Sequence, residues 1–289
     1  MRFISPDGDE EIRELGFTPT GHPLDRYLRQ ETPFCAGCGN GVILNAFLSV
    51  IDEDFGSLDS FAFFSGIGCA SWIPNPHLLA DAVHTTHGRS IPVATGAKLA
   101  NPKLNAVVIS GDGDLAAIGG GHLFQSARRN VEMLVILVNN RIYGMTGGQC
   151  GPLTPEDAVT LTTPFGNPES PYDLAPIISA AGASFCARWT VAQPKKLKEA
   201  IRSGLERSRK GFAFLEVIST CPTQYGRFVE RETDPVVLYH HLLDSSVPID
   251  MARKMSKSEL EGKITVGTFR DQARTGFSAR IGEEKEVKG

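Results

Sequence analysis

The sequence predicts an α/β fold in which a mostly parallel β-sheet is covered by helices on both faces. Short apolar runs alternate along the chain with longer segments of helical periodicity, which is the order expected of βαβ units. The central runs 105–110 and 133–139 are almost wholly apolar, as is typical of strands buried on both faces of a sheet. Both runs lead into glycines or asparagines. We therefore expect polar loops at the carboxyl ends of the strands, where ligands bind in such folds.

The individual elements follow from periodicity and from turn residues. Asn40 is expected to cap a buried helix that continues to about Ile51. The segment 144–171 is rich in Gly, Pro and Thr and lacks periodicity, so it is predicted to be a long functional loop. The further predicted strands are 61–65, 105–110, 133–139, 184–188 and 213–218, and the further predicted helices are 91–100, 119–129, 173–181 and 194–208.

The domain organisation is predicted to be simple. No linker or internal repeat interrupts the pattern, so we expect residues 1–289 to form a single domain. Residues 1–30 are polar and are predicted to be an N-terminal arm. Residues 245–289 have mixed charge and little pattern, and they are predicted to be an irregular C-terminal extension.

Composition and charge exclude several classes of protein. The net charge is −4 and no basic stripe is concentrated in the sequence, so we expect no nucleic-acid binding. No apolar run approaches the length of a membrane span, and the charged N-terminus does not resemble a signal peptide. We therefore expect a cytoplasmic protein. In that compartment its six cysteines are expected to be metal ligands or buried thiols rather than disulfides.

The most informative motif is Gly111-Asp112-Gly113-Asp114, which follows one predicted strand, while Asn139-Asn140 ends another. Neighbouring strand ends would bring a carboxylate and a carboxamide oxygen to one point. Such oxygens suit a hard divalent cation that also binds phosphates. The glycines allow the backbone to approach a phosphate closely. The motif therefore favours a metal-bridged diphosphate.

A dinucleotide-binding site is the alternative interpretation of the same motif. The glycines of the motif and Ala116 fit the G-x-G-x-x-A fingerprint between a strand and a helix. Two observations count against it. Asp112 would repel a bare pyrophosphate unless a metal ion lies between them. The next strand also ends in Asn139-Asn140 instead of the acidic residue that holds a ribose hydroxyl.

Four cysteines form a second candidate site. Cys35 and Cys38 are a C-x2-C pair before a predicted helix, while Cys69 and Cys221 each follow a predicted strand. Four thiolates in such loops are able to hold a [4Fe–4S] cluster or a zinc ion, and free or redox-active thiols remain a third reading. Cys186 lies in an apolar strand and is expected to be a core thiol.

Two polar segments are further candidates for ligand contact. One is His84-Thr85-Thr86-His87-Gly88-Arg89, which stands between a strand-like segment and a helix. The other is Tyr143-Gly144-Met145-Thr146-Gly147-Gly148-Gln149, which directly follows the asparagines. Its glycines allow close approach to a phosphate and its threonine is able to donate a hydrogen bond, while a flexible turn is the alternative interpretation.

Taken together, these motifs resemble one known family. The sequences of these motifs and their order along the chain are similar to those of the beta subunits of 2-oxoacid:ferredoxin oxidoreductases, and most of all to the 2-oxoglutarate (KorB-type) branch. The resemblance runs from about residue 25 to 230. It is carried by FCAGCGNG, SGIGC, HTTHGR, ATGAKLANP, GDGD, IGGGH, RRN, NNRIYGMTGGQ and CPT.

The resemblance implies a thiamine-diphosphate-binding fold and a specific set of ligands. Mg²⁺ is expected at Asp112, Asn140 and the backbone carbonyl of Ile142. The residues expected along the diphosphate are Gly113, Asp114, Gly144, Met145 and Thr146. The residues expected to line the cofactor pocket are Ile67, Gly68, Cys69, Ala70, His84 and His87. Of these, Cys69 and His87 are the expected catalytic residues. One [4Fe–4S] cluster is expected on Cys35, Cys38, Cys69 and Cys221.

The implied activity is oxidative decarboxylation of a 2-oxoacid, with coenzyme A as acceptor of the acyl group and ferredoxin as acceptor of the electrons. The family's pyrimidine-activating glutamate is expected on a partner alpha subunit, so the chain is expected to act in a complex, as a dimer of alpha–beta heterodimers. Trp72 stands where a basic residue is expected close by, so the resemblance leaves the choice between 2-oxoglutarate, pyruvate and other 2-oxoacids open.

Two other functions are compatible with parts of this pattern. A non-catalytic iron–sulfur electron-carrier subunit would use the cysteines, but it would have no use for Asp112 and Asn140. A thiamine-dependent decarboxylase or synthase without a redox step would use those two residues, but it would not need Cys35 and Cys38.

Overall fold

A computed structural model describes residues 2–4, 10–12 and 21–281 of the protein. Predicted features that fall on residues 1, 5–9, 13–20 and 282–289 lie outside the described residues. The strands are β1 (Arg2–Ile4), β2 (Glu10–Ile12), β3 (Phe61–Ser65), β4 (Asp81–His84), β5 (Asn105–Gly111), β6 (Met133–Asn139), β7 (Phe185–Thr190), β8 (Phe212–Ile218), β9 (Ser246–Pro248) and β10 (Ile264–Asp271). The α-helices are α1 (Gly39–Asp54), α2 (Ser90–Ala100), α3 (Gly120–Arg129), α4 (Leu174–Ala181), α5 (Pro194–Ser208), α6 (Pro235–Ser245), α7 (Ile249–Ala252) and α8 (Lys257–Leu260).

Eight strands form one sheet in the order β4-β3-β5-β6-β8-β7-β10-β9, while β1 and β2 pair separately. The six strands from β4 to β7 run parallel to one another, and β10 joins β7 in the antiparallel direction. The predicted parallel sheet is confirmed. The sequence did not predict β10, or β9 at the edge beyond it.

Helices cover both faces of this sheet, also as predicted. Successive strand residues point to opposite faces, so Ile109 packs in one core cluster and Val108 in the other. The first cluster is closed by α1 and α5 and contains Phe47. The second is closed by α2, α3 and α4 and contains Leu123. Because the central strands are buried on both faces, their near-continuous apolar runs are explained.

One terminal prediction needs correction. Residues 21–30, the end of the predicted N-terminal arm, lie against the rest of the protein, where Leu24 and Tyr27 are buried in the first core cluster. Residues 245–281 are not irregular, because β9, α7, α8 and β10 lie there and β10 pairs with β7. The pattern of β10 is weak in the sequence because Gly267 interrupts it and charged residues occupy its end. The number of domains stays a prediction.

Helix α1 also begins differently from the prediction. Its N-cap is Cys38, which makes no side-chain capping hydrogen bond, and Asn40 lies inside the first turn. The 3₁₀ turn Cys69–Trp72 follows β3, and π-helical turns at Gly113–Ile118 and Pro222–Glu230 follow β5 and β8. Within the described ranges, no helix is both long and apolar enough to cross a membrane.

Candidate active site

Two adjoining cavities lie at the carboxyl edge of the parallel strands. The cofactor cavity has a volume of about 100 Å³ and the cysteine cavity a volume of about 400 Å³. The residues that line the cofactor cavity are Ile67, Gly68, Cys69, Ala70, His87, Gly111, Asp112, Gly113, Asp114, Asn140, Ile142, Tyr143, Gly144, Met145 and Thr146. All but one of the residues predicted for the cation, diphosphate and cofactor pocket are therefore brought together; the exception is His84.

His84 does not line this cavity. It is exposed at the end of β4, and its Nδ1 lies 3.1 Å from the hydroxyl of Ser65. His84 belongs to the edge strand β4, whereas His87 lies in the following loop, which is fastened to the cavity wall by the hydrogen bond from the N–H of Gly88 to Asp114. The predicted contact of His84 with the cofactor is not supported by its position.

Asp112 is a buried carboxylate that lacks a full set of partners. Its Oδ2 atom is buried and accepts no hydrogen bond. Burial raises the pKa of Asp112 to about 7, while the backbone N–H groups of Gly113 and Arg141 lower it and the carboxylate of Glu216 adds to the rise. A buried carboxylate of this kind is stabilised by a cation, which supplies the missing partner.

The second part of the candidate cation site is a tight turn after β6. Asn140 lines the cavity, and its Oδ1 accepts a hydrogen bond from the N–H of Ile142 at 3.2 Å. Arg141, between them, has a φ of 62°, in the left-handed region. Its carbonyl accepts a hydrogen bond from Thr154 at 2.6 Å. The turn therefore holds one carboxamide oxygen and one backbone segment beside Asp112, as a hard oxygen-binding cation requires.

Asp114 has a structural role that the sequence did not predict. Its Oδ1 accepts hydrogen bonds from the N–H groups of Ile67 at 3.1 Å and Gly88 at 2.7 Å. Its Oδ2 accepts a hydrogen bond from Ser110 at 2.8 Å. The carboxylate thus fastens the loops after β3 and β4 to the end of β5. His87 Nδ1 lies 2.7 Å from Oδ1, in a geometry too bent for a good hydrogen bond.

Two glycines form part of the cavity wall, and a side chain at the first of them, Gly113, would clash with its neighbours. A Cβ atom on Gly113 would overlap the ring of Tyr143, whose hydroxyl donates a hydrogen bond to the Gly113 carbonyl at 3.3 Å. A Cβ atom on Gly144 would lie 3.6 Å from the sulfur of Cys221 and 3.9 Å from that of Cys69. Gly144 therefore separates the two cavities by little more than its own backbone.

The cysteine cavity brings together the four predicted thiols. Cys35, Cys38, Cys69 and Cys221 all line it, and Trp72 lines it with them. It shares Cys69, Asn140, Gly144 and Met145 with the cofactor cavity. Among the described residues, no group of three or more His, Cys, Asp or Glu side chains is close enough to hold a single metal ion.

The electrostatics of this cavity favour a cationic group between the thiols. Burial raises the pKa of Cys38 to about 12, and the neighbouring Cys221, Cys69 and Cys35 raise it further as like charges. Burial likewise raises the pKa of Cys69 to about 11, with Cys221 and Cys35 contributing. Thiolates are therefore unfavourable here unless a metal centre compensates their charge, which is the chemistry of a cluster site.

The other two cysteines lie away from this cavity. Cys186 is buried in β7 and its thiol lies 3.2 Å from the carbonyl of Ala175, as expected of a core thiol. Cys150 lines a separate groove beside Tyr143. Sequence reasoning missed Glu216, which is buried near Asp112; the only available signal was a single carboxylate in the apolar run of β8.

Comparison with known proteins agrees with this geometry. Residues 66–217 match the family model of the thiamine pyrophosphate enzyme, C-terminal TPP binding domain. The chain is 47% identical over 263 residues to the 2-oxoglutarate synthase subunit KorB of Methanothermobacter marburgensis, which covers 90% of this chain and 91% of the relative. It is also 47% identical to the subunit of that name from Methanocaldococcus jannaschii, over 86% of this chain and 92% of the relative.

A solved structure shows the same fold. The 2-oxoglutarate:ferredoxin oxidoreductase from Magnetococcus marinus, with 2-oxoglutarate, coenzyme A and succinyl-CoA bound, superimposes with a TM-score of 0.81. The sequence identity is 31%, and the match covers 93% of this chain and 92% of the other chain. The fold and the cofactor cavity thus define a thiamine-diphosphate-dependent enzyme. Within that class, the chain belongs to the KorB-type beta subunits of the 2-oxoacid:ferredoxin oxidoreductases.

Proposed function

We propose that the chain is the catalytic beta subunit of a 2-oxoglutarate:ferredoxin oxidoreductase. The reaction is the reversible oxidative decarboxylation of 2-oxoglutarate with coenzyme A, giving succinyl-CoA, CO₂ and reduced ferredoxin. The main observation behind the proposal is that two cavities lie next to each other and share Cys69 and Gly144 as lining residues. One cavity suits thiamine diphosphate, and the other is lined by four cysteines. In this proposal a decarboxylating site and an electron acceptor lie side by side.

In this proposal, Mg²⁺ is bound by Asp112, Asn140 and the carbonyl of Ile142. The buried and unpartnered Oδ2 of Asp112 supports it, because a hard cation supplies the partner that the carboxylate lacks. Gly113, Gly144, Met145 and Thr146 lie along the diphosphate, where the backbone of the glycines permits close approach. Asp114 contributes by fixing the loops that form the wall.

The four cysteines of the cysteine cavity hold one [4Fe–4S] cluster in the same proposal. Their convergence and the raised pKa values of Cys38 and Cys69 support it, because buried thiolates require a compensating metal centre. When bound, thiamine diphosphate would supply a carbon nucleophile and an electron sink, and the cluster would supply an electron acceptor. Cys69 and Gly144 line both cavities and would separate the two groups.

His87 and Cys69 are the residues that we assign to the reacting end of the cavity. His87 lines the cavity and is partly exposed, so its imidazole is available to a bound substrate. An imidazole is able to donate a proton or a hydrogen bond to an oxygen that gains charge during the reaction. The carboxylate of Asp114 lies 2.7 Å from Nδ1 of the same imidazole. Cys69 forms the wall on the side of the cysteine cavity.

A partner alpha subunit completes the site, in a dimer of alpha–beta heterodimers. Among the described residues that line the cofactor cavity, none is the glutamate that thiamine enzymes use to activate the aminopyrimidine. The loop groove, lined by residues of the segment 143–169 and by Ala117, adjoins that cavity at Tyr143. Phe165 in this groove is fully exposed. In this proposal Phe165 contacts the partner subunit.

The substrate is assigned from the KorB-type relatives and not from a charged side chain in the cavity. Trp72 lines the cysteine cavity and has no charge to offer the distal carboxylate of 2-oxoglutarate. Arg89 is exposed beside His87 and is able to supply a positive charge, as is the partner subunit. The absence of a basic residue at Trp72 keeps pyruvate as the second candidate substrate.

The test is turnover of the complex on two substrates side by side. The chain is co-expressed with its partner subunit and purified without oxygen, and ferredoxin reduction is followed with coenzyme A and either 2-oxoglutarate or pyruvate. We expect kcat/KM to be higher for 2-oxoglutarate than for pyruvate. Preference for pyruvate would overturn the substrate assignment alone. No coenzyme-A-dependent reduction of ferredoxin with either acid would overturn the proposed function.

A further inference from the structure

A buried ion pair adjoins the proposed cation site but has no part in the proposed chemistry. Glu216 lies in β8 between two parallel neighbours and is 1% exposed. Its Oε1 accepts a hydrogen bond from Nδ2 of Asn139 at 2.8 Å, and its Oε2 accepts one from Nε of Arg188 at 2.7 Å. Burying a carboxylate is costly, and this one lines neither cavity. The buried position of Glu216 therefore needs a physical explanation.

Arg188, the cation of this ion pair, is held in place by several contacts. Arg188 also pairs with the largely exposed Asp173, and its Nη1 donates to the carbonyl of Thr265 at 3.4 Å. Its guanidinium lies 5.2 Å from the ring centre of Phe269. Burial alone lowers the pKa of Arg188, but the carboxylates of Glu216 and Asp173 outweigh burial and raise it. Arg188 is therefore a fixed cation whose guanidinium is paired with the carboxylate of Glu216.

Glu216, the carboxylate of the ion pair, determines the orientation of the Asn139 carboxamide. A carboxylate paired with a guanidinium offers only acceptor atoms to its other neighbours, so Asn139 turns its NH₂ group toward Glu216. The carboxamide oxygen of Asn139 then faces the N–H of Arg141, which donates to it at 3.1 Å. That N–H also lies beside the carboxylate of Asp112. The charge on Glu216 therefore excludes the flipped carboxamide, which would turn its NH₂ group toward the N–H of Arg141.

This hydrogen bond supports an unfavourable backbone conformation. Arg141 has a φ of 62°, which costs a residue with a side chain free energy unless neighbours hold it. The residues on either side of it are Asn140 and Ile142, the two ligands proposed for the cation together with Asp112. Any relaxation of the turn at Arg141 would move both ligands at once.

We propose that Glu216 is a positioning residue for the divalent cation, acting through Asn139 on the turn that presents Asn140 and Ile142. The inference rests on the proposed function, because it assumes the cation site. Hydrogen-bonding partners of metal ligands commonly change metal affinity by roughly 10–100-fold when they are removed. A purely structural ion pair would instead change stability and leave the affinity for the cation unchanged.

The test uses the complex with its partner subunit, stripped of cation and cofactor by a chelator. Binding of Mg²⁺ is titrated calorimetrically at saturating thiamine diphosphate. Glu216→Gln removes the charge and allows the carboxamide of Asn139 to flip, so the affinity for Mg²⁺ is expected to fall by roughly 10–100-fold. The apparent KM for Mg²⁺ is expected to rise in proportion, while kcat at saturating Mg²⁺ stays within about threefold of the wild-type value.

Asn139→Ala is the second variant, because it leaves the ion pair between Glu216 and Arg188 intact. The same loss of Mg²⁺ affinity is expected. Asp173→Asn is the matched control: it makes the same kind of change at the other end of Arg188, away from Asn139, and is expected to leave Mg²⁺ affinity within about twofold.

The outcomes separate this inference from the proposed function. If wild-type complex binds thiamine diphosphate without any divalent cation, the cation site of the proposed function is overturned. If binding by the wild type needs the cation and Asn139→Ala binds Mg²⁺ normally, only the role of Glu216 is overturned. An Asn139→Ala chain that fails to fold would place the residue in folding and would also overturn the proposal.

Discussion

A Cβ atom on Gly66 would overlap the carboxylate of Asp114. This contact joins the end of β3 to the loop after β5, because the same carboxylate accepts hydrogen bonds from the N–H groups of Ile67 and Gly88. The wall of the cofactor cavity thus depends on a position without a side chain. Gly66 was part of a motif in the sequence, but its partner became apparent only in the structure.

Gly66→Ala is therefore expected to displace Asp114 and to distort the cavity wall. We expect the free energy of unfolding to fall by roughly 1–3 kcal/mol, because backbone and a buried carboxylate must move to make room. The affinity for thiamine diphosphate is expected to fall by more than about tenfold, since both loops that line the pocket lose their anchor. Thermal denaturation and calorimetric titration measure the two effects.

Gly96→Ala is the control for this substitution. Gly96 lies inside α2 and a Cβ atom there meets nothing within 4 Å, so alanine is expected to stabilise the helix by up to about 1 kcal/mol. Cofactor affinity is expected to stay unchanged. Equal cofactor binding by Gly66→Ala and Gly96→Ala would show that Asp114 does not organise the pocket.

Asp112→Ala is expected to abolish cofactor binding with the fold retained. The variant removes the carboxylate that we assign to the cation, and it also removes a buried acceptor that lacks a partner in the cofactor-free protein. Affinity for thiamine diphosphate is expected to fall by at least about 100-fold, more than for a residue that only supports a ligand. Thermal denaturation of the cofactor-free variant should show no loss of stability.

A matched control for Asp112→Ala is Asp250→Ala. Asp250 is an exposed aspartate in α7, far along the chain from the strand-end loops. Its removal is expected to change cofactor binding by less than about twofold. Normal thiamine diphosphate content in the complex that carries Asp112→Ala would contradict the metal assignment.

Cys35→Ser is expected to remove the iron–sulfur cluster. Cys35 lines the cysteine cavity with three other cysteines, and a [4Fe–4S] cluster needs all four thiolates. Iron content and the visible absorbance of the anaerobic complex should both fall to background, and reduction of ferredoxin should stop. Cys150→Ser, outside that cavity, is the control and is expected to keep its iron. A wild-type complex with one zinc per chain and no iron would refute the cluster.

The parts of the site that the sequence predicted are those fixed by strand ends. Asp112 and Asn140 each follow a strand of a parallel sheet, and such ends meet at one edge, so their proximity followed from the apolar runs alone. Contacts that depend on side-chain direction did not follow. His84 lies only three residues before His87, yet of the two only His87 lines the cavity.

Long-range pairing accounts for the other differences between prediction and structure. Strand β10 pairs with β7 across a separation of about eighty residues, and Gly267 weakens its local pattern, so its position could not be read from neighbouring residues. Glu216 was equally hidden: a carboxylate in an apolar run gives no sign of its partners Asn139 and Arg188, which other strands supply. The local sequence predicts the helices and strands, whereas the contacts between side chains of different strands depend on the order of the strands in the sheet.

The exposed Phe165 provides a test of the partner subunit's position. Phe165 lies in the loop groove beside the cofactor cavity, and Val236 is an exposed apolar residue on α6 outside that groove. Phe165→Glu is expected to weaken association with the partner subunit by more than about tenfold, because a charge would be buried in the interface. Val236→Glu places the same charge on another surface and is expected to leave association unchanged. Co-purification of the two subunits and sedimentation of the complex measure the effect, and full complex formation by Phe165→Glu would exclude the groove as the interface.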